Sequence, residues 1–191
     1  MKAVSPVWAA IREFVRNPEA VGSAFPATSH MVKRILDPMD WGQIDLLVEF
    51  GPGTGRFTFD ALARMRPDTK LLAIEPGEAF VKHLRSASHD PRLIVVQDEA
   101  QRLRDIMNSL GLEKADCILS GLPFSTLDPD DAAAILDGCW SVLDTKGSFV
   151  AYQMRRRIER YLKKRFEIKR RDRVIWNIPP CHIIWAGPAD S

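Results

Sequence analysis

The feature that most constrains this chain is a short apolar run, Ile44–Phe50 (IDLLVEF), that empties into Gly51-Pro52-Gly53-Thr54-Gly55. Apolar runs of this length ending in glycine are typical of a strand buried on both faces in a parallel sheet. Glycines at alternate positions take backbone angles closed to other residues and let a ligand approach the main chain closely. Downstream the pattern alternates. A helix is expected over Gly55–Met65, with Phe57, Leu62 and Met65 on its inner side, then a strand at Leu71–Ile74 and a helix at Glu78–Leu84. A strand at Leu93–Gln97, a helix near Glu99–Leu110 and a strand at Cys117–Leu119 follow, then a helix at Pro129–Leu143 capped by Asp128 and a strand at Phe149–Gln153. This alternation requires a mostly parallel sheet with helices on both faces. Phe166–Trp176 and His182–Trp185 also read as strands, and Asn177–Cys181 between them is too short for a crossover helix, so they should pair antiparallel at one edge. The expected fold is therefore α/β: a doubly wound, mostly parallel, seven-stranded sheet with an antiparallel C-terminal hairpin and N-terminal helices.

At 191 residues the chain suits one domain, 1–191, with 1–37 as an N-terminal helical extension. In Val4–Arg16, Val7, Trp8, Ile11, Phe14 and Val15 share one helical face, and a second helix is expected at Ser29–Leu36. No apolar run reaches the roughly 20 residues of a membrane span, and Met1–Phe14 lacks the marks of a secretory signal, so a cytoplasmic protein is expected. Cys117, Cys139 and Cys181 are odd in number and far apart, which argues for reduced, buried thiols rather than a disulfide framework or a metal knuckle. The net charge of +2 conceals a contrast: Met154–Arg173 carries eleven Lys/Arg against Glu159, Glu167 and Asp172, a segment of +8 that leaves −6 for the remainder. So one-signed a segment points to an anionic partner, either a phosphate backbone or an acidic bilayer.

In a doubly wound sheet the ligand sits beyond the carboxyl ends of the strands, where the strand order reverses. The loop there is Gly-x-Gly-x-Gly, one residue short of the dinucleotide fingerprint, and no Gly-Lys-Ser/Thr follows to make a phosphate loop. Glu49 would repel a pyrophosphate but suits an ammonium or sulfonium. Glu75, twenty residues after Gly55, has the spacing of a carboxylate that accepts from ribose hydroxyls, and Asp98 can accept from an adenine amine. A ribose, an adenine and a cationic amino-acid moiety without phosphate describe S-adenosylmethionine (SAM).

Val48–Gly55, then Ile74-Glu75-Pro76, then Gln97-Asp98-Glu99-Ala100 resemble the first three cofactor motifs of class I, Rossmann-like SAM-dependent methyltransferases. The resemblance implies cofactor contacts from Glu49, Gly51, Gly53, Gly55, Glu75, Pro76, Asp98, Glu99, Ala100 and Ser120. Two groups share this first motif: bacterial cytosolic-type phospholipid N-methyltransferases and ribosomal RNA adenine dimethyltransferases. The RNA enzymes usually place Asn or Asp where this chain has Gly121, in Ser120-Gly121-Leu122-Pro123-Phe124. The stretch Gly22–Ser29, the same Ser120–Pro123 loop and Trp176-Asn177-Ile178-Pro179-Pro180 are similar to motifs of the lipid enzymes, and the chain ends without the helical domain usual in the RNA enzymes.

That resemblance implies transfer of methyl groups to phosphatidylethanolamine, toward phosphatidylcholine, by an enzyme held peripherally on the inner face of an anionic membrane. The Val4–Arg16 helix and the Arg155–Arg173 segment would make the contact; at roughly 1 kcal/mol per basic residue, half of the +8 segment supplies about 4 kcal/mol. On the acceptor side Phe124 and Tyr152 are the catalytic candidates, as ring faces for a cationic headgroup, with Tyr152 also able to accept a proton through water. Arg155–Arg157 would hold the lipid phosphate. His30 and His182 lie in candidate site regions, His83 and His89 read as surface, and no metal site is expected. An RNA adenine-N6 dimethyltransferase and a non-catalytic SAM-binding protein are the alternatives.

Overall fold

A computed structural model describes residues 28–175 and 180–189. The expected Val4–Arg16 helix, the Gly22–Ala27 stretch and Trp176–Pro179 lie outside the described residues. Among the described residues the elements run α1 (Ser29–Leu36), β1 (Leu46–Phe50), α2 (Arg56–Leu62), β2 (Lys70–Ile74), α3 (Glu78–Ala87), β3 (Leu93–Val96), α4 (Leu103–Ser109) and β4 (Ala115–Ser120). They continue with α5 (Pro129–Val142), β5 (Leu143–Gln153), α6 (Glu159–Leu162), β6 (Glu167–Val174) and β7 (Cys181–Gly187). The sheet order is β3-β2-β1-β4-β5-β7-β6, with the first five strands parallel and β7 antiparallel to both of its neighbours. The doubly wound sheet and its terminal hairpin are as the sequence pattern requires.

Strand alternation sorts the core into two layers. Leu46, Val48 and Phe50 of β1 join Ile118, Phe149, Leu103, Ile135 and Leu162 on the face covered by α4, α5 and α6. Leu47 of β1 joins Leu71, Leu119, Val150, Ile35, Phe57 and Ala61 on the face covered by α1 and α2. Burial on both sides is why the parallel strands are almost continuously apolar. The caps are local: Thr28 Oγ1 accepts from the Met31 N–H at 3.2 Å, and Asp128 accepts from the Asp130 N–H at 2.9 Å, just ahead of Pro129 in the first turn of α5.

Three elements depart from expectation. The helix over Glu99–Leu110 divides into a 3-10 turn at Ala100–Arg102 and α4. Strand β5 starts at Leu143 rather than Phe149, directly from α5, because a register shift against β4 between Ala115 and Cys117 absorbs the extra residues. The basic segment folds as a 3-10 turn (Arg156–Ile158), α6 and the edge strand β6. Its charge is partly neutralised within the molecule: Arg156 and Arg171 both reach Glu159, Arg165 reaches Asp137, Lys169 reaches Glu167 and Arg170 reaches Asp172. Charge along an edge strand also discourages another chain from pairing with it.

Candidate active site

The strand order reverses between β2 and β4 on either side of β1, so the loop leaving β1 stands at the switch point. Gly51 N–H donates to the Ile74 carbonyl at 3.0 Å, hanging the loop on β2. Gly55, at φ 82°, closes it at the start of α2; a Cβ there would lie 2.5 Å from the Phe59 ring and 2.8 Å from Leu84. Gly53, at φ 56°, faces the other way, with no atom within 4 Å of where a Cβ would be. One glycine thus packs the helix onto the sheet and the other leaves main chain open to a ligand. At the start of α1, Ser29 Oγ accepts from Arg56 at 2.9 Å, tying the segment before β1 to this loop.

Glu49 is the penultimate residue of β1, Glu75 follows β2 directly and Asp98 lies two residues beyond β3, on three neighbouring strands. Glu49 is 1% exposed; its Oε2 accepts from Thr58 Oγ1 at 2.7 Å, while Oε1 has no hydrogen-bond partner among the described residues. Burial pushes its carboxyl up to about 7, the Thr58 hydroxyl opposing and the nearby Glu75 charge adding. A buried acceptor without a donor is costly, so this oxygen is suited to a cationic ligand group. Glu75 is also buried and raised by that burial; Oε2 accepts from the Gly53 N–H at 3.1 Å and Oε1 from the Gly77 N–H at 2.8 Å. Asp98 accepts from the Glu99 N–H at 2.8 Å and from Arg102 at 3.0 Å. Pro76 and Glu99 are partly buried and Ala100 is buried beside these acids. The residues fit a positively charged nucleoside: a buried carboxyl with one oxygen unpartnered among the described residues at one end, further acids just beyond β2 and β3, and an open backbone at Gly53.

The loop after β4 differs from expectation at one residue. Phe124 is 1% exposed and packs in the apolar layer with Leu122 and Leu127, so its ring face is core rather than a wall of the pocket. Gln153 enforces this placement: its side-chain carbonyl accepts from the Phe124 N–H at 3.2 Å and its amide donates to the Leu122 carbonyl. Ser120 is buried, with Oγ accepting from the Leu122 N–H at 3.4 Å. Tyr152 is partly buried against Phe57, ring centroids 4.8 Å apart, and a Cβ on Gly121 would lie 2.3 Å from its hydroxyl oxygen. Burial and the charge of Glu49 raise the Tyr152 phenol well above its ordinary range, so it remains neutral. Thr58, Gln153 and the Tyr152–Gly121 contact escaped sequence reasoning; a polar residue ending an apolar strand was the one available sign of Gln153. His30, His83 and His89 are exposed, and His182 lies on β7 opposite Gln153.

Likeness to known proteins agrees with this geometry. The chain superposes on magnesium protoporphyrin IX methyltransferase from Synechocystis PCC 6803 with bound SAM at a TM-score of 0.64, with 13% identity, covering 99% of this chain and 86% of that one. It superposes on TrmN from Thermus thermophilus at a TM-score of 0.69, with 15% identity over 94% of this chain and 53% of that one. Among curated proteins, an ornithine lipid N-methyltransferase of Singulisphaera acidiphila is 25% identical over 138 residues, 72% of each chain. A ribosomal RNA small subunit methyltransferase A of Geobacter metallireducens is 32% identical over 120 residues, 61% of this chain and 42% of that protein. Residues 47–147, more than half of the chain and all of the glycine loop and three-acid row, match the methyltransferase domain model, and the chain therefore belongs to the methyltransferase domain family, with SAM as its methyl donor.

Proposed function

We propose that this methyltransferase acts on the amine of a membrane-lipid headgroup, with phosphatidylethanolamine as the acceptor, at the surface of an anionic bilayer on its cytoplasmic side. The observation that carries this reading is the loop after β4. The space where a base-methylating loop places an amide side chain is filled by the Tyr152 hydroxyl against Gly121, and the following aromatic, Phe124, is turned into the core. Neither an amide nor an open ring at Phe124 stands ready for a purine. The likeness to an ornithine lipid N-methyltransferase supports an aminolipid acceptor; the shorter match to a ribosomal RNA enzyme supports the same domain architecture.

SAM, when bound, supplies an electrophilic methyl group on a positively charged sulfur. Glu49 would answer its positive charge, Glu75 would accept from ribose hydroxyls, and Asp98 from the adenine amine. An acceptor amine must present a free lone pair, and a primary ammonium is mostly protonated at neutral pH. Tyr152, held neutral, would accept a hydrogen bond from the amine N–H through its phenolic oxygen and so orient the lone pair; positioning of this kind supplies much of the rate in a simple displacement. The test incubates the protein with methyl-labelled SAM and either phosphatidylethanolamine vesicles or ribosomal RNA. Label in the lipid is expected. Label in RNA alone overturns the lipid reading, and measurable SAM binding with label in neither makes the protein a non-catalytic SAM binder.

A further inference from the structure

Beside the acceptor loop, at the edge of the sheet, lies a groove of about 470 Å³ that the donor site does not use, lined by Arg156, Arg171, Arg173 and His182 together with Glu159 and Asp172, the latter already paired with Arg34 and Arg170. Gln153, which holds the acceptor loop, pairs across the sheet with His182, and His182 pairs with Arg173. Paired residues of neighbouring strands face the same side, so His182 and Arg173 share the side that α6 covers. There Glu159 accepts from Arg156 and from Arg171 Nε and Nη2, at 3.3 and 3.2 Å for the latter pair. One carboxylate thereby fixes two guanidinium groups, and each retains N–H donors beyond those bonds. The Arg173 guanidinium and the His182 imidazole form no ion pair among the described residues. Burial and the neighbouring Arg173 and Arg156 charges push His182 below its ordinary range, with Glu159 opposing, as a positive field in the groove requires.

We infer that this groove is the subsite for the phosphodiester of the acceptor lipid, with Arg156, Arg173 and His182 as its donors. The inference rests on the lipid reading above and deepens it. In a phosphoethanolamine headgroup one oxygen and two carbons separate phosphorus from nitrogen, so the anion must bind close to the methyl acceptor. Neighbouring strands lie about 4.8 Å apart, which puts β7 one spacing from Gln153 and two from Gly121; Tyr152 faces the layer of Phe57 and His182 that of Ile184, so the headgroup would pass over the rim at the end of β5 to join the two. Arg157 adds a direct link, donating to the Ser125 carbonyl of the acceptor loop at 3.2 Å. The mouth also suits a lipid. Strands β5 and β6 end at the same rim, and the residues that follow them, Met154 and Ile175, are 53% and 58% exposed apolar side chains among the arginines. Apolar side chains between basic ones match the boundary between headgroups and acyl chains.

Arg173→Gln is the variant of choice, because Arg173 is exposed and its side chain makes no hydrogen bond among the described residues. Methyl transfer is measured to phosphatidylethanolamine and to a phosphate-free aminolipid, each carried in micelles of a neutral, phosphate-free detergent. R173Q should raise KM for phosphatidylethanolamine about tenfold, leave the phosphate-free lipid and SAM affinity unchanged, and be largely rescued by Arg173→Lys. An equal loss on both lipids, or no loss, overturns the subsite. A second readout does not depend on catalysis: the His182 imidazole resonances are followed by NMR as glycerophosphoethanolamine or inorganic phosphate is added. A shift with glycerophosphoethanolamine that R173Q abolishes supports the subsite even if no lipid is methylated. A shift with inorganic phosphate alone overturns the lipid assignment in favour of a free-anion site, and no shift with either overturns the site altogether.

Discussion

The two ends of the sheet treat charge in opposite ways. Along β1 and β2, Glu49 and Glu75 are buried, and their partners are the Thr58 hydroxyl on α2 and the main-chain N–H groups of Gly53 and Gly77 in the loops after β1 and β2. Along β6, β7 and α6 the charges are arginines and lysines on the surface, and their partners are side-chain carboxylates, some remote, as in Arg165 with Asp137, and some a few residues away, as in Arg156 with Glu159 and Arg170 with Asp172. Buried carboxylates act at short range in a poorly screened environment, whereas surface cations act over about a Debye length and weaken with salt. A small, cationic donor suits the first arrangement. An anionic partner would suit the second.

The largest effect should come from the donor end. Gly55→Ala forces a Cβ into Phe59 and Leu84 at a residue with φ 82°, and should cost about 3 kcal/mol or more of stability, read by urea unfolding. A loss below about 1 kcal/mol would mean that the loop is loosely packed. Next, Glu75→Ala frees the Gly53 and Gly77 N–H groups and removes the expected ribose acceptor; SAM affinity should fall at least tenfold by calorimetric titration. Unchanged affinity would take Glu75 out of the site. At the other end, Lys163→Ala removes one exposed cation that forms no ion pair among the described residues. It should weaken binding to acidic vesicles about fivefold while leaving SAM affinity alone, since each such cation near an acidic bilayer contributes about 1 kcal/mol. A parallel loss of SAM affinity would erase the distinction between the ends.

That distinction also governs what could be read from the chain directly. The β1 loop and the acids at Glu49, Glu75 and Asp98 were legible because spacing along a strand–loop–helix unit fixes where each lands, whatever the remaining chain does. The acceptor end depends on contacts remote in sequence. Phe124 is buried because Gln153, on another strand, holds its loop, and an aromatic after a strand gives no sign of that. The room at Gly121 is set by Tyr152. The basic segment read as one block of charge, but the pairing of Arg165 with Asp137, and of Arg156 and Arg171 through Glu159, follows from how α5, α6 and β6 are placed. The start of β5 was hidden for a similar reason: α5 passes into it without a turn, so no glycine or proline marks the boundary.

Glu49 offers the most direct test of the donor site, through the sign of its pH dependence. Its carboxyl is raised in the folded protein from 4.5 to about 7, so its neutral form stabilises the ligand-free fold fully below pH 4.5, and that contribution is lost as the pH rises through about 7. A cationic donor reverses the preference by favouring the carboxylate. SAM affinity should therefore be measured by calorimetry between about pH 5.5 and 7.5, where the donor's own α-amino group stays largely protonated. The account predicts that affinity climbs across this range in the native protein and climbs less steeply in Glu49→Gln, where only Glu75 remains to titrate. A level profile in the native protein, or the same climb in the variant, would contradict a donor pocket built around the buried charge of Glu49.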